Sequence, residues 1–188
     1  ICSQTCCWPV PANQALIALR SGDPGEASRL VDIALAAAPG DGVIARLAAR
    51  IAWNEGEFER GIEILEAAIA TNGGDLKVRW ALAESLRSSG RVDDQAYHLA
   101  AIVESVPDNL LARLSLARVL LELERGPDAE SQLAWIAGSG LVSDADAIPL
   151  LRGALEQLEA DNLKAARGAT IALNNLLKPT RAWQHSNI

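Results

Sequence analysis

The sequence repeats itself at a fixed interval of about 34 residues, and a period of this size restricts the chain to a small set of architectures. Gly22, Gly56 and Gly90 are evenly spaced, and the next equal step along the chain reaches Glu124. Further columns in the same register hold small or apolar residues. These columns are Ala15, Ala49, Ala83 and Ala117; Ala27, Gly61, Gln95 and Ala129; Val31, Leu65, Leu99 and Leu133; and Ala34, Ala68, Ile102 and Ile136. Such a register indicates an array of stacked repeat units rather than one irregular core.

Each repeat unit contains two segments with helical spacing of apolar residues, which predicts a pair of helices per unit. In the third unit the two stripes are Leu82, Ala83 and Leu86, and then Leu99, Ile102 and Val103. Gly90 ends the first segment and Pro107 ends the second, as expected for helix-terminating residues. Asp23-Pro24 with Glu26 is typical of a helix start, and Pro127 is expected in a first helical turn. The patterns predict helices at about 12–21, 24–38, 42–54, 58–71, 76–89, 92–105, 109–122, 127–137, 147–158 and 162–177, with Asp146 as N-cap of the ninth.

This period, with its small residues, turn glycine and terminal proline in this order, resembles the tetratricopeptide repeat (TPR). Residues 42–75 and 76–109 match best, and the resemblance covers roughly residues 12–177. It implies an all-α fold, a right-handed α–α superhelix (a TPR-like solenoid) of about five helical hairpins. Glu124 departs from the pattern at the turn glycine, as does Gln95 at a small-residue column. The predicted organisation is an extended segment at 1–11, repeat units at about 12–41, 42–75, 76–109, 110–141 and 142–177, and a tail at 178–188.

Composition and motifs argue against several functional classes. The formal net charge of −7 is unfavourable for binding nucleic-acid phosphates, and no apolar run is long enough to cross a membrane. No phosphate-binding loop, dinucleotide fingerprint or paired-His zinc helix is present, so we expect no cofactor, no metal site and no catalytic site. Of the two histidines, His98 is expected on a helix surface and His185 in the tail. The chain is therefore predicted not to be an enzyme.

All three cysteines, Cys2, Cys6 and Cys7, lie near the N-terminus, so they do not form a disulfide framework for the repeats. They are open to lipidation, to intermolecular disulfides or to a metal clip that lacks a fourth ligand, or they belong to a tail with no such role. Because the chain contains no Met, we expect that Ile1 is not the natural translation start. The composition is typical of a bacterial protein, and either a cytoplasmic or a periplasmic, envelope-associated location is compatible with it.

The TPR resemblance implies that the first helix of each hairpin lines a concave groove. The corresponding columns are Val43, Arg46, Arg50, Trp53 and Asn54; Lys77, Trp80, Glu84, Arg87 and Ser88; and Leu111, Leu114, Arg118, Leu121 and Glu122. From these columns the predicted partner-binding residues are Arg46, Arg50, Trp53, Lys77, Trp80, Arg87 and Arg118. Arginine pairs with carboxylates in a bidentate manner, and tryptophan offers a large contact area. In the alternative interpretation, the tryptophans pack between hairpins and the arginine stems cover them.

These observations predict a protein–protein interaction scaffold or adaptor that binds a partner segment, with acidic residues, in the groove. Nucleic acid is not expected as a partner, and membership of a larger complex is compatible with the pattern. One alternative is an envelope-associated, lipid-anchored assembly factor or subunit of a membrane or secretion complex. Another is a TPR appendage of a larger enzyme.

Overall fold

The computed structural model of the protein describes residues 9–177, and this part of the chain contains ten α-helices and no β-strand. The all-α prediction is confirmed, and nearly every helix begins and ends within two residues of its predicted bounds. The helices are α1 (Pro9–Arg20), α2 (Pro24–Ala37), α3 (Gly42–Asn54), α4 (Phe58–Thr71), α5 (Leu76–Ser88), α6 (Val92–Ser105), α7 (Leu110–Glu122), α8 (Gly126–Ser139), α9 (Ala147–Glu159) and α10 (Leu163–Leu177).

The chain divides into two compact units, residues 1–90 and 91–188. Unit 1 contains α1–α5 and unit 2 contains α6–α10 among the described residues. The division follows Gly90 and falls inside the third predicted repeat. The organisation into five repeats along the sequence therefore stays a prediction.

In unit 1 consecutive helices form hairpins, and each hairpin packs on the one before it. Helix α1 packs on α2 and α3 packs on α4, while α3 also contacts α1 and α2, and α5 contacts α3 and α4. The core consists of small and branched apolar side chains from all five helices. One cluster includes Ala27, Val31, Ala34, Ile44 and Ile51, and a second includes Ile62, Leu65, Val78, Leu82 and Leu86. The first helices of this unit, α1, α3 and α5, are consequently neighbours along one side of the packed hairpins.

In unit 2 the order of packing changes at the last hairpin. Helix α7 packs on α6 and α8, and α9 packs on α8 and α10. It is α10, rather than α9, that packs along α7. This differs from unit 1, where each new first helix contacts both helices of the preceding hairpin.

The turn column of the repeat keeps one backbone conformation. Gly22, Gly56 and Gly90 have φ angles of 81°, 82° and 75°. Glu124, the fourth member of the column, also adopts a positive φ, 58°, although it has a side chain. A residue in this left-handed region ends the helix, and glycine adopts it without the steric cost that a Cβ adds. The turn at Glu124 therefore keeps the conformation of the glycine turns, although the residue type differs.

A second capping column became visible only in the structure. Asp41, Asp75 and Asn109, which are again one repeat period apart, are the N-caps of α3, α5 and α7. The Asp41 carboxylate accepts hydrogen bonds from the backbone N–H groups of Val43 and Ile44 at 2.9 and 3.0 Å. Such caps satisfy backbone donors that the helix itself leaves unpaired. Local hydrogen bonding therefore fixes where each of these first helices begins.

Two details of the helix starts differ from the sequence predictions. The segment 1–11 was expected to be extended, but α1 already begins at Pro9. Prolines are tolerated in a first helical turn because the N–H groups there have no partner in the helix. Asp146 makes no capping hydrogen bond. Its place is taken by the Asp144 carboxylate, which accepts from the backbone N–H of Asp146 at 2.9 Å and of Ala147 at 3.3 Å.

The predicted roles of Cys2, Cys6, Cys7 and of the tail at 178–188, including His185, fall outside the described residues. His98 is half-buried on α6, as an edge-on neighbour of the Tyr97 ring, with ring centroids 5.1 Å apart.

Candidate functional site

Helices α3 and α5, two of the first helices of unit 1, begin close together. Gly42, the first residue of α3, lies so close to Asp75 and Val78 that a Cβ added at this position would clash with both side chains. Helices α3 and α5 therefore start side by side, with their N-terminal turns in contact. Because both follow the same repeat register, equivalent columns on the two helices point to the same side.

Three cations on this side have no acidic partner. Arg46 and Arg50 are one helical turn apart on α3, so they lie on one helix face, and Lys77 begins the equivalent face of α5. None of the three forms an ion pair with any described residue. The Arg46 Nε–H donates to the Gly42 carbonyl at 3.1 Å, while Arg50 and Lys77 are exposed. We call these three residues the cationic face.

On the second helices of unit 1, α2 and α4, the arginines are neutralised. On α2, Arg29 pairs with Glu26 at 2.7 Å, and the hydrogen bond from Arg29 holds the pKa of the Glu26 carboxyl below its usual range. On α4, Arg60 pairs with Glu57 at 2.7 Å and with Asp32 of α2 at 2.6 Å. The hydrogen bond to Glu57 is the largest cause of a raised pKa of the Arg60 guanidinium. The arginines of the second helices are thus paired, in contrast to the cationic face.

Arg87, also predicted for the groove, differs from the cationic face because it pairs with Glu84 on its own helix at 3.1 Å.

A further cation was missed by the sequence reasoning. Arg20, at the end of α1, is exposed and forms no ion pair with a described residue. Arg20 lies one repeat period before Asn54 and so belongs to a groove column. Extending the columns to the first repeat would therefore have identified it.

The two predicted tryptophans have different surroundings. The Trp53 ring lies against Gly61 of α4, where an added Cβ would come within 2.6 Å of the indole. Its edge-on neighbour is Phe58, with ring centroids 5.8 Å apart, and its buried Nε1 has no hydrogen-bond partner among the described residues. These contacts favour the packing interpretation for Trp53. Trp80 is half-buried on α5, in the repeat column of Arg46.

The equivalent columns on α7, in unit 2, are mostly buried. Leu111, Leu114 and Leu121 are 7%, 0% and 3% exposed. Arg118 is half-buried and already engaged by a neighbouring group. Glu122 pairs with Arg167 of α10 at 3.2 Å. The groove columns of α7 therefore lie mostly in the interior of unit 2, whereas several of the equivalent columns of α3 are exposed in unit 1.

Arg113 of α7 is a buried cation whose contacts are all within the fold of unit 2. Its guanidinium lies 3.8 Å above the Trp135 ring and donates to the Pro107 carbonyl at 2.6 Å and to Gln132 Oε1 at 2.8 Å. Burial lowers the pKa of the Arg113 guanidinium. The contacts tie α7 to α8 and to the loop before α7, so this arginine stabilises the hairpin.

One surface depression in unit 2 was not expected from the sequence. It has a volume of about 370 Å³ and lies among α6, α7 and α8. Tyr97 is 69% exposed at its edge, and Leu116 and Leu120 form part of its floor. The polar groups around it include Asp93 and the paired Arg125 and Asp128, joined at 2.6 Å.

Among residues 9–177 no three His, Cys, Asp or Glu side chains are grouped so as to hold a metal ion. Over the same residues no helix combines the length and apolar character that crossing a membrane requires.

The architecture and the exposed first-helix columns define a helical-repeat protein. The sequence matches the tetratricopeptide repeat family over residues 13–75 and 46–109, which together span more than half of the chain. The protein belongs to the tetratricopeptide repeat family, as its sequence pattern indicated. No curated protein matches the chain at the level of sequence.

Solved structures with the same fold include several TPR proteins. YrrB, described as a TPR protein with an unusual peptide-binding site, superposes with a TM-score of 0.64 at 14% identity, over 94% of this chain and 89% of that chain. MamA of AMB-1 gives a TM-score of 0.64 at 18% identity, over 92% and 93% of the two chains. MamA from Desulfovibrio magneticus RS-1 gives 0.65 at 14% identity, over 93% and 97%. At these identities the similarity concerns the fold.

Proposed function

We propose that this protein is an interaction scaffold that binds an acidic peptide segment of a partner protein on the cationic face of unit 1. The observation that carries the proposal is the contrast in pairing. Within residues 9–177, Arg46, Arg50 and Lys77 form no ion pair, although the whole chain has a net charge of −7 and the arginines of α2 and α4 are paired. Cations that the protein leaves unneutralised on adjacent helices are available for carboxylates of a ligand.

The chemistry of the face suits a peptide rather than a small substrate. Arg46 and Arg50 offer planar guanidinium groups for bidentate pairing, and Lys77 adds a point charge on the neighbouring helix. Trp80 supplies apolar contact area next to these charges. We therefore assign a binding role to this surface.

Two of the other predicted groove residues have weaker support. Arg87 is neutralised by Glu84, so a partner carboxylate would have to compete with that contact. Arg118 is already engaged by a neighbouring group, and its place in a partner site stays a prediction. YrrB, which has the same fold, is described as having a peptide-binding site, and this is compatible with a peptide ligand here.

The test is selection of peptides from a displayed random library on three proteins: the wild-type chain, an Arg50→Glu/Lys77→Glu variant and an Arg29→Glu/Arg60→Glu variant. We expect the wild-type chain to select sequences enriched in Asp and Glu, whose binding weakens with added salt because screening reduces charge attraction. Losing two charge contacts of about 2–5 kcal/mol each would abolish a micromolar complex.

The Arg29→Glu/Arg60→Glu variant is the matched control because it changes the net charge equally but lies on α2 and α4. It should retain the acidic peptides. Selection of peptides without acidic enrichment by the wild-type chain would contradict the proposal, as would equal loss of binding in both variants. Far-ultraviolet circular dichroism of all three proteins verifies that they remain helical.

A further inference from the structure

Helix α10 packs along α7 and forms an ion pair with it at a column that is exposed on α3. In unit 1 the columns of Val43 and Asn54 are exposed, and Val43 is 64% exposed. Two repeats further along, the same columns are Leu111, which is 7% exposed, and Glu122, whose carboxylate binds Arg167 of α10. Helix α10, which is also the hairpin partner of α9, therefore occupies part of the surface of α7 whose equivalent is exposed on α3.

The ends of the two helices show how α10 is placed. Leu163, the first residue of α10, lies against Gly126, which follows the end of α7, and a Cβ at Gly126 would be 2.8 Å from it. The Arg167–Glu122 ion pair, four residues further along, joins the same two ends. Helix α10 therefore starts where α7 finishes. Its buried face is a single stripe at one-turn spacing, consisting of Ala166, Thr170, Leu173 and Leu177.

The sequence of α10 is better suited to this docking than to forming a helix alone. Lys164 and Arg167 lie in its first turns, and the helix contains no acidic residue. Cations at a helix N-terminus oppose the helix dipole, so they are unfavourable unless a nearby negative group compensates them. Glu122, at the negative end of α7, provides that compensation. Gly168, in the middle of α10, has open space around the position of a Cβ, so packing does not require a glycine that weakens the helix.

We propose that α7 is a helix-binding surface and that α10 is its internal ligand, which a separate helix with the same apolar stripe and the same basic first turns replaces once α10 is loosened. The occupant of the surface in the native chain is α10 itself. The partner chemistry that the surface accepts is consequently an amphipathic helix with small and leucine side chains on one face and a cation facing Glu122. This inference concerns unit 2 and is independent of whether unit 1 binds acidic peptides.

The test uses the full chain and a fluorescein-labelled synthetic peptide with the sequence of residues 162–177, with binding followed by fluorescence anisotropy. The wild-type chain should bind the peptide poorly because α10 already occupies the surface. Leu173→Ala, which removes a fully buried side chain of α10, should improve the apparent affinity about tenfold or more, as expected when a binding-competent state becomes more populated. Arg152→Glu, on an exposed part of α9, is the control and should leave peptide binding at the wild-type level.

A charge exchange makes the test specific for the position of the peptide. Glu122→Arg should release α10 and repel the wild-type peptide, yet bind a peptide with Arg167→Glu better than the wild-type peptide. Hydrogen exchange of α3 and α4 verifies that unit 1 is unchanged in each variant. If no variant binds either peptide, or if Glu122→Arg shows no preference between the two peptides, α10 is a permanent part of the core and the proposal is wrong.

Discussion

Helices α3 and α7 are equivalent members of the repeat, two repeats apart, and yet the same columns form surface on one and core on the other. Val43 is 64% exposed and its equivalent Leu111 is 7% exposed. Arg46 is half-buried and forms no ion pair with the part of the chain that the structure describes, and its equivalent Leu114 is fully buried. Helix α10 packs along α7 and pairs with Glu122, the equivalent of the exposed Asn54 of α3. A repeat column thus specifies a position, and the neighbouring helix decides whether that position is available to a partner.

The largest expected effect is at the column that holds Arg46 on α3 and Leu114 on α7. Leu114→Ala should lower the free energy of unfolding by about 2–5 kcal/mol, since it removes a fully buried side chain and leaves a cavity. Arg46→Ala, in the same column, should cost less than about 1 kcal/mol because it breaks no ion pair. Urea denaturation of the two variants measures both. Similar losses at the two positions would mean that α3 and α7 are not in different environments.

An intermediate effect is expected at a column that is buried in both units. Ala83 of α5 and Ala117 of α7 share a column and are both fully buried. Replacing either with Leu should cost about 1–3 kcal/mol through overpacking, with similar values for the two because this column faces the core in both units. Ser88→Leu, at an exposed groove column, is the control and should change the free energy of unfolding by less than about 0.5 kcal/mol. A loss at Ser88 equal to that at Ala83 would show that the column register is wrong.

The smallest expected effect concerns the turn column. Glu124→Gly should raise the free energy of unfolding by about 0.5–1 kcal/mol, because Glu124 has a φ of 58° and glycine adopts this conformation without strain. The reverse change in unit 1, Gly56→Glu, should lower it by about 1 kcal/mol. Thermal unfolding of both variants is the measurement. A destabilised Glu124→Gly variant would indicate that the Glu124 side chain contributes a contact that outweighs the strain.

Much of the fold was predictable because its signals are local. The turns at Gly56 and Gly90, which follow helix ends, and the prolines Pro24 and Pro127 in first helical turns depend on backbone conformations that a few neighbouring residues determine. The Asp146 cap was predicted wrongly for a related reason. Asp144 lies two residues away and offers the same carboxylate, so the pattern did not distinguish between them.

The candidate site was predictable only in part. Arg50 and Lys77, two of the residues that the columns indicated, are exposed, while their role in binding a partner stays a prediction. They did not indicate that Arg87 is neutralised by Glu84 or that the Trp53 ring packs against Gly61. Those outcomes depend on which side chains meet, and identical spacing along the sequence is compatible with several such arrangements.

The sequence by itself determined the ten helices of residues 9–177 and the glycine turns at Gly22, Gly56 and Gly90, because each follows from backbone preferences and apolar spacing within a few residues. Only the tertiary structure decided which first helices are exposed. The packing of α10 on α7, and the pairing of Arg60 with Asp32 on another helix, join parts of the chain whose separation the repeat period does not describe. Burial of apolar surface stabilises any well-packed contact between two such segments. Which helices become neighbours therefore depends on the shape and charge of their surfaces rather than on the repeat period.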